Sequence, residues 1–106
     1  MAIVNKAWDG SASRWPDTPS FCDSCLINAN TGDRKDWVQS ACKLPVKEPG
    51  GDINSNAVHA AAAALAGGRG GVNASPSDKK KAARALMRYY GQMKEDCPPS
   101  LKNMAQ

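Results

Sequence analysis

Phe21-Cys22-Asp23-Ser24-Cys25-Leu26-Ile27, answered by Trp37-Val38-Gln39-Ser40-Ala41-Cys42-Lys43-Leu44-Pro45-Val46, is the stretch on which the fold turns. Three cysteines in so short and turn-rich a region imply that something other than a large core holds the N-terminal half together. The first segment reads as either a short strand or a knuckle-like turn. The second reads as a strand, and Pro45 places it at an edge or a strand end. Asn28-Ala29-Asn30-Thr31-Gly32-Asp33 between them is a loop by composition. Two short strands flanking a loop make a hairpin that carries the cysteines.

Beyond the hairpin the signals are helical. Asn54 is a good N-cap, because its side-chain oxygen can accept an orphan backbone N–H. A helix follows from about Ser55 to Ala66, with an apolar stripe at Val58, Ala61, Ala62 and Leu65 and a stop at Gly67. Gly67-Gly68-Arg69-Gly70-Gly71-Val72-Asn73-Ala74 is an extended loop by composition. It lacks the Gly-Lys-Ser/Thr ending of a phosphate-binding loop. Ser75 caps a second helix, with Pro76 at its first position and Asp78 in its first turn. Its apolar positions are Ala82, Ala83, Leu86, Tyr90 and Met93, and Pro98-Pro99 ends it.

Upstream, Trp15-Pro16-Asp17-Thr18-Pro19 bars a helix by its prolines. Residues 1–20 therefore read as an irregular N-terminal arm. Trp8 and Trp15 pin it either onto the domain's own core or onto a partner, since buried aromatics serve both. Residues 21–98 make a single small domain, and residues 99–106 a flexible tail. The expected fold is small α+β: a cysteine-bearing hairpin packed on two helices in a helix–extended loop–helix arrangement. The expected core is Trp15, Leu26, Ile27, Val38, Leu44, Val58, Ala62, Leu65, Leu86 and Tyr90.

A chain of 106 residues buries only roughly 60–65% of its unfolded surface. Much of its apolar content is alanine, so the core calls for a staple: a metal, a disulfide or a partner surface. The net charge of +4 permits contact with phosphates or acidic surfaces without requiring it. No apolar run approaches the ~20 residues that span a bilayer, and Met1–Lys6 is too short for the apolar region of a secretory signal. The expectation is a chain made and kept in a reducing cytoplasm unless later packaged, with no membrane partner. There, Cys-x-x-Cys favours a metal site, a redox motif or plain thiols over a structural disulfide.

Cys22 and Cys25 have the spacing that lets one turn offer two thiolates to a tetrahedral zinc. Cys42 is a candidate third ligand. His59 or Cys97 must supply the fourth, and His59 is taken up only because the count requires a partner. Such a site, one structural Zn with a closed shell, leaves no open position for a substrate. A thioredoxin-like role lacks the strand-then-helix context that lowers a thiol pKa, and no residue set composes a catalytic centre. Lys79-Lys80-Lys81 with Arg84 and Arg88 are candidates to track a phosphate backbone or an acidic surface, with Arg69 in the loop following. They equally describe the solvated face of an amphipathic helix.

Trp8-Asp9-Gly10-Ser11-Ala12-Ser13-Arg14, the Ser24-Cys25-Leu26-Ile27 step, Cys42-Lys43-Leu44-Pro45-Val46-Lys47-Glu48-Pro49, Asn56-Ala57-Val58-His59-Ala60-Ala61, and Ala82-Ala83-Arg84-Ala85-Leu86 with Tyr89-Tyr90 occur together. In combination they resemble a small uncharacterised domain of tailed bacteriophages and prophages. That domain is often the C-terminal part of larger head-assembly proteins, including ones like prohead proteases; here it stands alone. The resemblance covers roughly residues 8–101. It implies an accessory role in head assembly or the virion, with other phage structural proteins as partners and no catalytic residues. Residues like Cys25 and Cys42 belong to the resembled pattern more than Cys22 and Cys97 do, which implies a free thiol at Cys97.

The function expected is thus a non-enzymatic phage accessory protein: a minor capsid, cement or head-assembly module, able to form a homo-oligomer. Its place is the host cytoplasm during infection, or the virion. The alternative is a small zinc-stabilised nucleic-acid-binding protein.

Overall fold

The computed structural model describes residues 2–67 and 71–106. In chain order the elements are β1 (Ile3–Val4), α1 (Thr18–Asp23), β2 (Cys25–Asn28), β3 (Cys42–Pro45), β4 (Ile53–Asn54), α2 (Ser55–Leu65), α3 (Pro76–Met93) and α4 (Pro99–Met104). The class is small α+β as the sequence predicts. β2 and β3 pair antiparallel, with Cys25 opposite Pro45, Ile27 opposite Lys43 and Asn28 opposite Cys42. β1 and β4 form a short parallel pair.

The two main helices start where their caps predict. Asn54 Oδ1 accepts the N–H groups of Asn56 and Ala57 at 2.9 and 3.3 Å. Ser75 Oγ accepts the Asp78 N–H at 3.1 Å. α2 and α3 both give buried alanines to one core, Ala57, Ala61 and Ala62 from α2 and Ala82 and Ala83 from α3. Small side chains at the contact let helix axes approach closely. Val58, Leu65, Leu86 and Tyr90 fill the rest of this core, which Ile27 and Val46 close from the hairpin side. A second, smaller core holds Trp15, Phe21, Cys22 and Cys42.

Several expectations need correction. Residues 1–20 have no regular structure from Asn5 to Ser11, as expected, but are not an irregular arm throughout: β1 pairs with β4, the Ile53 N–H donates to Ala2 O at 2.9 Å, and Trp15 is buried. The prolines do not bar a helix either. Pro19 lies in the first turn of α1, where no intrahelical N–H is required, and Asp17 Oδ1 caps that turn through the Ser20 N–H at 2.8 Å. By the same rule Pro99 opens α4, and Pro98-Pro99 does not end α3, which stops at Met93 with Lys94 in the left-handed region. Residues 99–106 are not a loose tail: α4 buries Leu101 completely, and Ala105 O accepts Arg84 Nε at 3.0 Å.

The strand expected over Trp37–Val46 is shorter at its start. Two 3-10 turns, Arg34–Asp36 and Gln39–Ala41, break the alternation and leave Val38 54% exposed, outside the core. Asn30 organises this long loop. Its Oδ1 accepts the Val38 N–H at 2.9 Å and its Nδ2 donates to Val38 O at 3.1 Å. The amide thus pairs with the Val38 backbone much as a neighbouring strand would.

Candidate functional site

A concavity of about 800 Å³ lies between the Trp8–Gly10 segment, Pro45 at the end of β3 and the outer face of α2. Ala60, Ala63 and Ala64 form its floor, and Asn56 stands at one end. A smaller hollow of about 140 Å³ continues it past Leu44 and Ala57. Trp8 and Pro45 wall both.

A stack of aromatic and charged groups fixes the Trp8 wall. Trp8 meets Trp15 edge-to-face at 6.4 Å, and Trp15 meets Phe21 the same way at 5.1 Å. The Arg14 guanidinium lies 5.6 Å from both indole centroids, a cation–π arrangement with two rings. Trp15 Nε1 donates to Ser24 Oγ at 3.0 Å, so the buried indole N–H is satisfied. Gly10 lets the chain pass close beneath Trp8. A Cβ there would meet Trp8 Nε1 at 3.2 Å and Pro45 Cγ at 3.4 Å.

Behind the stack sits Glu48, a buried carboxylate. Arg14 Nη2 donates to it at 2.6 Å and Asn54 Nδ2 at 3.2 Å, while Lys6 Nζ lies 3.6 Å away. Burial alone would push the Glu48 carboxyl up. The bonds from Arg14 and Asn54, with the charges of Arg14 and Lys6, outweigh it and hold the group below its ordinary value. Asn54 also donates to Lys6 O at 3.2 Å. One side chain therefore ties the N-terminal segment, Glu48 and the start of α2 together.

Leu44, beside the groove, has φ 62. This left-handed conformation costs a branched residue about 1–2 kcal/mol. It falls between Lys43, still opposite Ile27, and Pro45 in the groove wall.

Cys22 and Cys42 form a disulfide that joins α1 to β3, with their Cα atoms 5.3 Å apart. Cys25 is free and packs against the same small core. Burial pushes its thiol up to about 12, so at neutral pH it is a thiol rather than the thiolate that attacks or ligates. His59 is remote in role: its Nε2 meets Glu95 Oε1 at 2.8 Å on the α2 surface. The candidate zinc ligands Cys22, Cys25, Cys42 and His59 therefore do not form a shell in this structure. Among the described residues no three His, Cys, Asp or Glu side chains compose a metal-holding group. Cys97 is a free thiol.

The anion-contact candidates divide. Lys81, Arg84 and Arg88 are exposed and Lys80 is half-buried; Arg69 lies outside the described residues. Of the two candidate partner-binding tryptophans, Trp15 is spent on the core and Trp8 stands half-buried at the groove. Sequence reasoning missed Gly10, Pro45, Asn56, Ala60 and Ala63 as neighbours of Trp8. A signal was present in Ala60-Ala61-Ala62-Ala63-Ala64, which puts methyl groups on every side of α2. A helix apolar all round is ordinarily covered all round. It was equally silent on Glu48, whose partners lie 34 and 6 residues away.

Comparison with protein-family models, with curated proteins and with solved structures gives no match to this chain.

Proposed function

We propose that this chain is a non-enzymatic accessory protein of a tailed bacteriophage head, a minor capsid, cement or assembly module. It works by holding an apolar segment of another head protein in the groove beside Trp8. The uncovered face of α2 carries this reading. Ala60 and Ala63 are exposed on a helix whose composition calls for cover, and they floor a groove with an indole and a proline ring as walls. Methyls, an indole and a pyrrolidine grip apolar side chains by area and dispersion. Among the described lining residues Asp9 is the one titratable group, and its carboxylate accepts the Ser11 N–H at 2.9 Å. The phage context comes from the resemblance above.

Ala60→Arg with Ala63→Arg fills the groove at exposed positions that tolerate arginine in a helix. On a sucrose gradient the wild-type chain should co-sediment with heads of the phage that encodes it, and the double variant should stay at the top. A wild-type chain that stays at the top, or a double variant that sediments with the heads, overturns the reading.

The competing reading, a zinc-stabilised nucleic-acid-binding protein, requires a reduced chain, because a sulfur held in the disulfide offers no thiolate to a metal. A native mass spectrum of the reduced protein with and without a chelator decides it. One zinc per chain supports the metal; a metal-free reduced chain removes it.

A further inference from the structure

Charge is unevenly divided along the chain. From position 68 onward there are eight basic and three acidic residues, against six and seven before it. Five of the eight lie on α3, which has one acid, Asp78. At 100° per residue, Lys81, Arg84 and Arg88 fall within about 60° of one another over roughly 10 Å of helix. They lie opposite the buried Ala83, Leu86 and Tyr90, and all three are exposed. None of the ion pairs among the described residues uses an α3 cation. Arg84 is braced by its Nε on Ala105 O at 3.0 Å, and its Nη groups have no partner among the described residues.

This arrangement works against the helix that carries it. Lys79, Lys80 and Lys81 stand in the first turns, where the macrodipole disfavours cations. Lys80 with Arg84, and Arg84 with Arg88, are like charges at i,i+4. An anion lying along the face relieves both. We infer that the outward face of α3 is a binding surface for the phosphate backbone of nucleic acid, read without regard to base sequence.

The apolar face of α3 is occupied by the core, so the helix cannot bury it in a lipid interface as a membrane-surface helix does. The stripe has no aromatic or aliphatic anchor of the kind that centres a protein interface. A line of bare cations is what counterion release from a duplex rewards. The surface shares no residue with the Trp8 groove, so each reading stands or falls alone.

Fluorescence anisotropy of a labelled DNA duplex tests it. Three phosphate contacts predict about 40-fold weaker binding at 200 mM than at 50 mM salt. The triple variant Lys81→Gln, Arg84→Gln, Arg88→Gln, shown folded by circular dichroism, should lose that binding. A control triple, Lys35→Gln, Lys43→Gln, Lys47→Gln, removes the same charge elsewhere and should keep most of it. No wild-type binding at 50 mM, equal losses in the two triples, or binding to phosphatidylserine vesicles but not to the duplex would each overturn the inference.

Discussion

The core between α2 and α3 and the core around Trp15 are both buried, yet different forces order them. In the first, each helix carries its own start signal, and the helices fill the core with alanines, Val58, Leu65, Leu86 and Tyr90. In the second, α1 has six residues, too few to persist alone. Two of its four buried members are the bonded Cys22 and Cys42. The N-terminal region is thus held by specific side-chain links, namely the disulfide, the Arg14–Glu48–Asn54 cluster and the pairing of Asn30 with the Val38 backbone. Local signals make the helical half robust to change at any one contact, whereas the N-terminal half depends on a few. That dependence matters for function, because the Trp8 wall of the groove is mounted on the dependent half.

Cutting the disulfide breaks the comparison most sharply. The Cys22→Ser, Cys42→Ser variant should lose about 3 kcal/mol, the chain-entropy value for a loop of this length; the two cysteines are 20 residues apart. The loss should be uneven. Tryptophan fluorescence should report a loosened Trp15 at lower urea than the helical circular dichroism, which α2 and α3 dominate. A single transition shared by both probes, at the wild-type midpoint, would show that the aromatic core needs no crosslink.

Glu48→Gln is the next largest, at about 2 kcal/mol near neutral pH, for hydrogen bonds to a charged group in a buried site. Its pH dependence has a definite sign. The folded Glu48 carboxyl sits below its ordinary value, so the unfolded chain binds the proton more readily. The stabilisation is complete above the unfolded value, near 4.3, and drains away as pH falls through the folded one. Urea midpoints measured between neutral and acid pH should fall for the wild type below about pH 4. They should fall less for Glu48→Gln, which has no proton to take up there. Parallel curves for the two proteins would remove Glu48 from the acid response.

How much of this was legible in the sequence follows the same division. Asn54, Ser75-Pro76 and Gly67 marked α2 and α3 because caps and stops act within a few residues of themselves. Pro45 marked a strand end for the same reason. The α1 and α4 helices were missed because a proline reads as a breaker unless its place in a first turn is known. The β1–β4 pair was invisible, since two-residue strands have no period. Val38 was misplaced because a 3-10 turn shifts the alternation that counting relies on. In the groove, only Trp8 was legible. Its neighbours Pro45 and Ala60 come from elements that a parallel pairing and a buried Glu48 bring together, and neither leaves a local trace.

The two helix ends offer the smallest test and sharpen the point. Both α2 and α3 are followed by a residue in the left-handed region, Gly67 at φ 104 and Lys94 at φ 58. Glycine adopts it freely; lysine does so against its Cβ. Lys94→Gly should therefore gain roughly 0.5 kcal/mol, the relieved strain less the glycine's extra unfolded entropy and a lost C-terminal cation. Gly67→Ala should lose about 1 kcal/mol, with nothing among the described residues within 4 Å of the added methyl to blame. Thermal midpoints that move in opposite directions would confirm that local backbone geometry sets the stability of the helical half. If both variants shift the same way, the ends are governed by tertiary contacts, and the helical half would resemble the N-terminal one after all.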